Sequence, residues 1–202
     1  MSDAAASRSR RQHHTAGWRW AWSASVCCAL LTPVCLALAA SRVEAQRAAP
    51  ASGAGALAPF KRDLQAALRE GLAQGPVEAI GACRLVAPKI ARAHSREDIR
   101  VGRTSDRLRN PANTAPDWVA PILTAYLASP SDRGPRTVEL AQGRTGYVEP
   151  ILAQPLCLTC HGQEVAPELR ARIEALYPED QAVGFRAGDL RGVFWVELPA
   201  AE

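Results

Sequence analysis

Methionine is almost absent from this chain: Met1 is the only one in 202 residues. No thioether donor is therefore available to any site beyond the first residue. A strong charge of either sign is lacking too. Of 24 basic and 20 acidic residues, five and two lie in the first 45, which leaves 19 and 18 in the remainder. So close a balance carries no basic footprint, and no nucleic-acid partner is expected. Cysteine is sparse beyond the same cut. Cys27, Cys28 and Cys35 fall in the N-terminal segment, whereas Cys83, Cys157 and Cys160 follow it. An odd set of three excludes a protein built on a disulfide framework. No internal repeat and no second domain is present.

The long apolar run lies at the N-terminus. Arg8, Arg10, Arg11 and Arg19 precede Ala21 to Ala40, which holds no charged residue, and Val43-Glu44-Ala45 offers small residues at −3 and −1. This reads as a secretory signal cleaved after Ala45. The alternative is an uncleaved anchor, since about twenty apolar residues just span a bilayer; Pro33 and the many Ala and Ser residues weaken that span. Either way the arginines stay inside and the remainder is exported. A periplasmic location is expected, with membrane contact only if the segment is uncleaved. Residues 46–58, rich in Ala, Gly, Pro and Ser, read as a flexible linker. Residues 59–202 read as one domain of ordinary size.

Within that domain, Phe60, Leu64, Leu68 and Leu72 recur at helical spacing up to Gly75-Pro76. A second helix is expected from Pro76 to His94, with Ile80, Cys83, Ala87 and Ile90 on one face, so Cys83 points inward. A short strand is expected over Ile99–Ser105, then a loop rich in Asn, Pro and Asp, and a third helix over residues 115–128. Thr137–Leu152 alternates around Gln142-Gly143 as a hairpin should. A fourth helix follows, with Leu169, Ile173 and Leu176 on one side, and "AGDLRGVFWVEL" closes the domain with a turn and a strand. The expected class is α+β, an antiparallel sheet with helices packed against it.

The chemistry sits in Cys157-Leu158-Thr159-Cys160-His161. C-x-x-C-H is the attachment pattern of c-type haem. Two thiols at this spacing reach the two vinyl groups on one porphyrin edge, and the adjacent imidazole becomes the proximal iron ligand. Export supports the reading independently. A thioredoxin-like site would place its C-x-x-C after an early strand of a βαβ unit. A zinc site would need Cys157, Cys160 and Cys83 with His94 or His161. Without an internal methionine, His/Met ligation is excluded, and the sixth position falls to Cys83, His94, water or an exogenous ligand. One helix cannot offer both Cys83 and His94 to one iron, because eleven residues separate them by about 16 Å. A lone Cys among Ile and Ala is by default a buried hydrophobe, and His94 at a helix end by default a dipole partner.

"AIGACRLVAPKIA", "VGRTSDRLRNPANTAPDW", "PLCLTCHG" and "YPEDQAVGFRAGDLRGVFWVEL", in that order, resemble the PAS-like c-type haem domain family of unknown function. Its members stand alone or form the periplasmic sensor regions of histidine kinases. The likeness runs from Phe60 to Leu198, with Asp106 and Phe185 as modest departures. It implies a PAS-like fold and one covalently attached haem, with iron held by His161 and by a cysteine at the position of Cys83. It also places Arg103, Arg109 and Asn110 near the haem. Arg103 and Arg109 are therefore candidates for propionate contacts; the alternative is an arginine that structures its own loop through backbone carbonyls.

A thiolate on iron favours the ferric form, and its release on reduction would act as a switch. The leading expectation is an exported haem protein that senses redox state or a diatomic gas. A low-potential electron-transfer cytochrome is the alternative, and a haem enzyme the third. No kinase or cyclase module follows within this sequence, so a sensor would act through a separate signalling protein, and a carrier through a redox partner.

Overall fold

Leu57, Phe60 and Leu64 recur at helical spacing and are all buried, a stripe that a helix can hide against one face of a sheet. The computed structural model describes residues 52–96 and 98–200. The signal or anchor expected over residues 1–45, and the first half of the expected linker, lie outside the described residues. Helix α1 spans Gly53–Gln74 and begins at Ser52, whose Oγ accepts the Gly55 N–H at 3.1 Å. Residues 53–58 are thus helical and not linker. The cap at Ser52 and the burial of Leu57 carry the helix one and a half turns beyond the expected boundary at Pro59. Gly75, at φ 137°, ends it.

The second expected helix is divided. α2 (Pro76–Gly81) and α3 (Ala87–His94) are its ends, and Ala82–Val86 between them widens into a π turn. Here the Ala87 N–H bonds to the Ala82 carbonyl, five residues back. Pro88 supplies a reason. In an unbroken α-helix it would offer no N–H to the Arg84 carbonyl, and its ring would collide with that oxygen; one extra residue in the turn relieves the clash. The face expected for Ile80, Cys83, Ala87 and Ile90 is therefore interrupted at its second member. Ile80 and Ala87 are buried, but Cys83 is only partly so.

Four strands, β1 (Arg100–Thr104), β2 (Arg136–Glu139), β3 (Thr145–Leu152) and β4 (Leu190–Leu198), form one antiparallel sheet in the order β1-β4-β3-β2. The expected hairpin is β2–β3, turned at Gln142 and Gly143 with φ of 61° and 70°. α4 (Ala120–Ala128) covers one sheet face: Val119, Ile122, Leu123 and Tyr126 pack on Val148, Leu190, Val193 and Trp195. α1 and α3 cover the other through Leu57, Phe60, Leu64 and Ala87 against Val101 and Val196. A short turn, α5 (Leu158–His161), and α6 (Pro167–Leu176) complete the domain, with α6 packed on α2 through Leu169, Ile173 and Ile80. This is the α+β, PAS-like arrangement expected.

The alternation along β4 breaks once. Gly192 pairs with Ile151 and Leu190 with Leu152, so Arg191 is an extra residue, a β-bulge. Because of it Leu190 joins Val193 and Trp195 on the α4 side. Gly192 permits the bulge: its φ is 153°, and a Cβ there would stand 2.1 Å from the Thr104 carbonyl oxygen of β1. Gly192→Ala is expected to cost at least about 1–3 kcal/mol in urea denaturation. Gly134→Ala, where a Cβ would meet nothing within 4 Å, is expected to leave stability nearly unchanged.

Candidate functional site

The Cys/His motif is folded by its own short segment. Pro155–Cys157 makes a 3-10 turn that runs directly into α5. Gly162 ends it, with its N–H returned to the Leu158 carbonyl at 2.8 Å. Only glycine fits there, because a Cβ would lie 2.5 Å from that same oxygen. The Cys157 sulfur accepts the Gln154 N–H at 3.3 Å. Three residues apart on one helical turn, Cys157 and Cys160 share a side.

The motif is tied to the segment that follows α6. Phe185 and Gly184 donate their N–H groups to the carbonyls of His161 and Gly162, at 3.0 and 2.9 Å. Arg109 reinforces the joint. Its Nε and Nη2 each lie 3.1 Å from an oxygen of Asp180, and Nη2 also reaches the carbonyls of Cys160 at 2.6 Å and Ala182 at 3.3 Å. The side chains of this pair are 10% and 7% exposed. Arg109 therefore clamps its loop to a carboxylate and two peptide carbonyls through Nε and Nη2, and it also lines the cavity described below.

His161 is oriented by the same joint. The Ala182 carbonyl accepts the Nδ1–H at 2.7 Å, and a carbonyl can only accept, so Nε2 carries the free lone pair. Burial, aided by the positive charges of Arg191 and Arg109, pushes the imidazole pKa down to about 2. The ring is neutral at ordinary pH, as a metal ligand must be. Phe185 meets it edge-on at 6.4 Å. Burial also raises the pKa of Cys160, opposed by Arg109.

Cys83, Cys157, Cys160 and His161 all line one cavity of about 440 Å³, a size typical of ligand sites. Leu68 and Leu72 of α1 line it as well, which explains why two apolar residues in register with buried Leu64 are only half-buried. Leu152 and Leu156, 40% and 56% exposed, are further apolar walls. Arg103 and Asn110 reach it too, although the Asn110 side chain is engaged in capping the turn Pro111–Asn113. His94 is not part of the cavity. Its Nε2 lies 2.8 Å from Asp63 on α1, and its ring packs edge-on against Phe60. Among the described residues no group of three or more His, Cys, Asp or Glu is placed to hold a metal ion, so the four-ligand zinc arrangement does not assemble.

Two wall residues were not anticipated. Arg191 reaches the cavity through the bulge, and Thr104 presents a buried Oγ1 without a hydrogen-bond partner. The available signal was Gly192, since a glycine within a strand pattern marks a bulge.

A PAS-like domain with a C-x-x-C-H turn set against an apolar cavity edged by arginine is the class that the fold and site define. The model of the Tll0287-like family, Tll0287, matches residues 29–199, and the chain belongs to that family. Among solved structures, the crystal structure of the cyanobacterial heme-protein Tll0287 is similar at 28% identity, covering 61% of this chain and 73% of that chain, with a TM-score of 0.48. No curated protein matches the chain.

Asp180→Ala strands Arg109 as a buried, unpaired cation. A loss of about 3–5 kcal/mol is expected in denaturant unfolding, larger than that of Asp63→Ala at the half-exposed contact to His94.

Proposed function

We propose that the protein is an exported c-type haem protein, with one haem in the cavity joined through thioethers to Cys157 and Cys160, and with His161 Nε2 and Cys83 Sγ as iron ligands. One observation carries the reading: these four side chains, from two distant parts of the chain, converge on a single apolar cavity. The donor set fits the group, since two thiols stand on one helical turn, an imidazole with a free Nε2 lone pair follows them, and a third thiol stands on a separate element. The description of Tll0287 as a heme-protein supports it. When bound, the haem supplies one-electron chemistry and an axial position that a small ligand can contest.

The role we favour is redox or diatomic-gas sensing in which Cys83 leaves the iron. Cys83 lies in the π turn, and such turns recur where a helix serves function. A second cavity, of about 160 Å³, also has Cys83 and Arg103 in its walls, giving the side chain space on another side. Arg84, the next residue, donates to the Leu176 carbonyl at the end of α6 and lies 5.7 Å from the Tyr177 ring centroid. Movement at Cys83 therefore pulls on α6, a route to a separate signalling protein in the periplasm. Among the described residues no helix is long and apolar enough to cross a membrane. A low-potential electron carrier with a redox partner is the second reading, and it requires Cys83 to stay bound in both oxidation states.

Protein made with a working haem-attachment system is expected to keep its haem through acid-acetone extraction, and Cys157→Ser with Cys160→Ser to lose it. A wild type without covalent haem contradicts the proposal. Cys83→Ala is expected to raise the reduction potential, because a charge donor is removed, and to bind carbon monoxide in the ferrous state at least about tenfold faster, equivalent to about 1.4 kcal/mol of barrier. Equal potentials and equal rates would make Cys83 a packed core thiol. A ferrous wild type whose six-coordinate spectrum is unchanged by carbon monoxide favours electron transfer.

A further inference from the structure

Two guanidinium groups in the cavity wall have no counter-charge. Arg109 has Asp180, and Lys61 has Glu149. Arg107 has Asp106 at 3.8 Å, donates to the Val183 carbonyl at 2.8 Å and covers the Phe185 ring at 3.5 Å. Arg103 and Arg191 also line the cavity, yet neither guanidinium makes a hydrogen bond or ion pair with any described residue. Arg191 is the deeper of the two. Its Nε is fully buried without a partner, and its guanidinium carbon stands 5.1 Å from the Phe185 centroid. Burial, with Arg103 and Arg109 adding repulsion, lowers its pKa to about 10.

An uncompensated buried cation is unfavourable by several kcal/mol, and such a group persists where a partner neutralises it. The chain makes a specific provision for this one. Without the extra residue in β4, regular alternation would turn the side chains on either side of Gly192 to other faces, and bulges beside functional sites re-aim side chains in this way. Arg103 arrives from the neighbouring strand, opposite Phe194, which lines the same cavity.

We propose that Arg191 and Arg103 form the anion seat of the cavity, one guanidinium for each of two carboxylate groups carried by the haem. The assignment rests on the haem reading above and extends it to Arg191, which the sequence analysis did not single out as a site residue. A planar guanidinium matches a carboxylate bidentately, and two unpaired cations balance two anions, so the wall becomes electroneutral when the cofactor is in place. The seat also acts on the iron. A carboxylate near the iron favours the ferric state, and the guanidinium offsets that charge.

The test compares wild type, Arg191→Gln and Arg191→Lys, all made with a haem-attachment system, by midpoint potential at fixed pH and salt. Thioethers hold the haem in each, so the potential reports the seat and not the loading. Arg191→Gln is expected to shift the ferric-to-ferrous balance about tenfold toward ferric, a potential lower by about 59 mV. That is the order expected for one unit charge at an effective dielectric of about 20. Arg191→Lys is expected to recover more than half of the shift, because it restores charge without the fork. Equal shifts for Gln and Lys, or a haem-loaded Arg191→Gln with the wild-type potential, overturn the seat while leaving the haem reading intact. A wild type without covalent haem overturns both. If Arg191→Gln does not fold, Arg103→Gln carries the same comparison, and an unchanged potential there overturns the pairing.

Discussion

The ion pair between Arg109 and Asp180 is the contact on which the site depends. One face of the Arg109 fork holds the carboxylate, and Nη2 continues to the carbonyls of Cys160 and Ala182. Asp180 in turn accepts the Ala182 N–H at 2.9 Å. The Ala182 peptide is thereby fixed at both ends, and its carbonyl sets the tautomer and direction of His161. A buried pair of this kind adds little net stability, since desolvation offsets most of the attraction. What it provides is position: the Cys/His motif is locked to a loop 51 residues earlier.

Charge in the cavity follows one logic. Among the cavity-lining guanidinium groups of the described residues, those of Arg109 at the backbone joint and of Arg107 are paired with carboxylates, whereas those from β1 and β4 are not. The same positive field, together with burial, keeps His161 neutral. One cluster of arginines thus keeps the imidazole neutral and supplies the proposed anion seat. The sulfur proposed as the second ligand comes from a different kind of element. The π turn around Cys83 is the least regular part of the helical layer, and Pro88 keeps it from closing into an α-helix.

Much of this was legible in the residues. Helical and strand periods placed the elements, and C-x-x-C-H with the missing methionine narrowed the chemistry before any geometry was known. Three features were hidden for physical reasons. The π turn was masked because Ile80, Cys83 and Ala87 have the spacing of an α-helical face, and only Pro88 hinted at a conflict. The pairing of Arg109 with Asp180 was hidden because the two are remote in sequence. Arg191 was invisible because β alternation assigns faces by parity, and the bulge at Gly192 reverses that parity. The start of α1 at Gly53 was obscured by a composition that reads as linker, since helix there is imposed by Ser52 and by packing of Leu57 rather than by propensity.

The central claim is that the cavity holds one iron between His161 and Cys83. Low-temperature electron paramagnetic resonance of the oxidised holoprotein tests it most directly, because a low-spin ferric ion bound by imidazole and thiolate has a signature distinct from other ligand pairs. The account predicts that signature in the wild type and in His94→Ala, and its loss in Cys83→Ser. A signal that survives in Cys83→Ser and disappears in His94→Ala would contradict it.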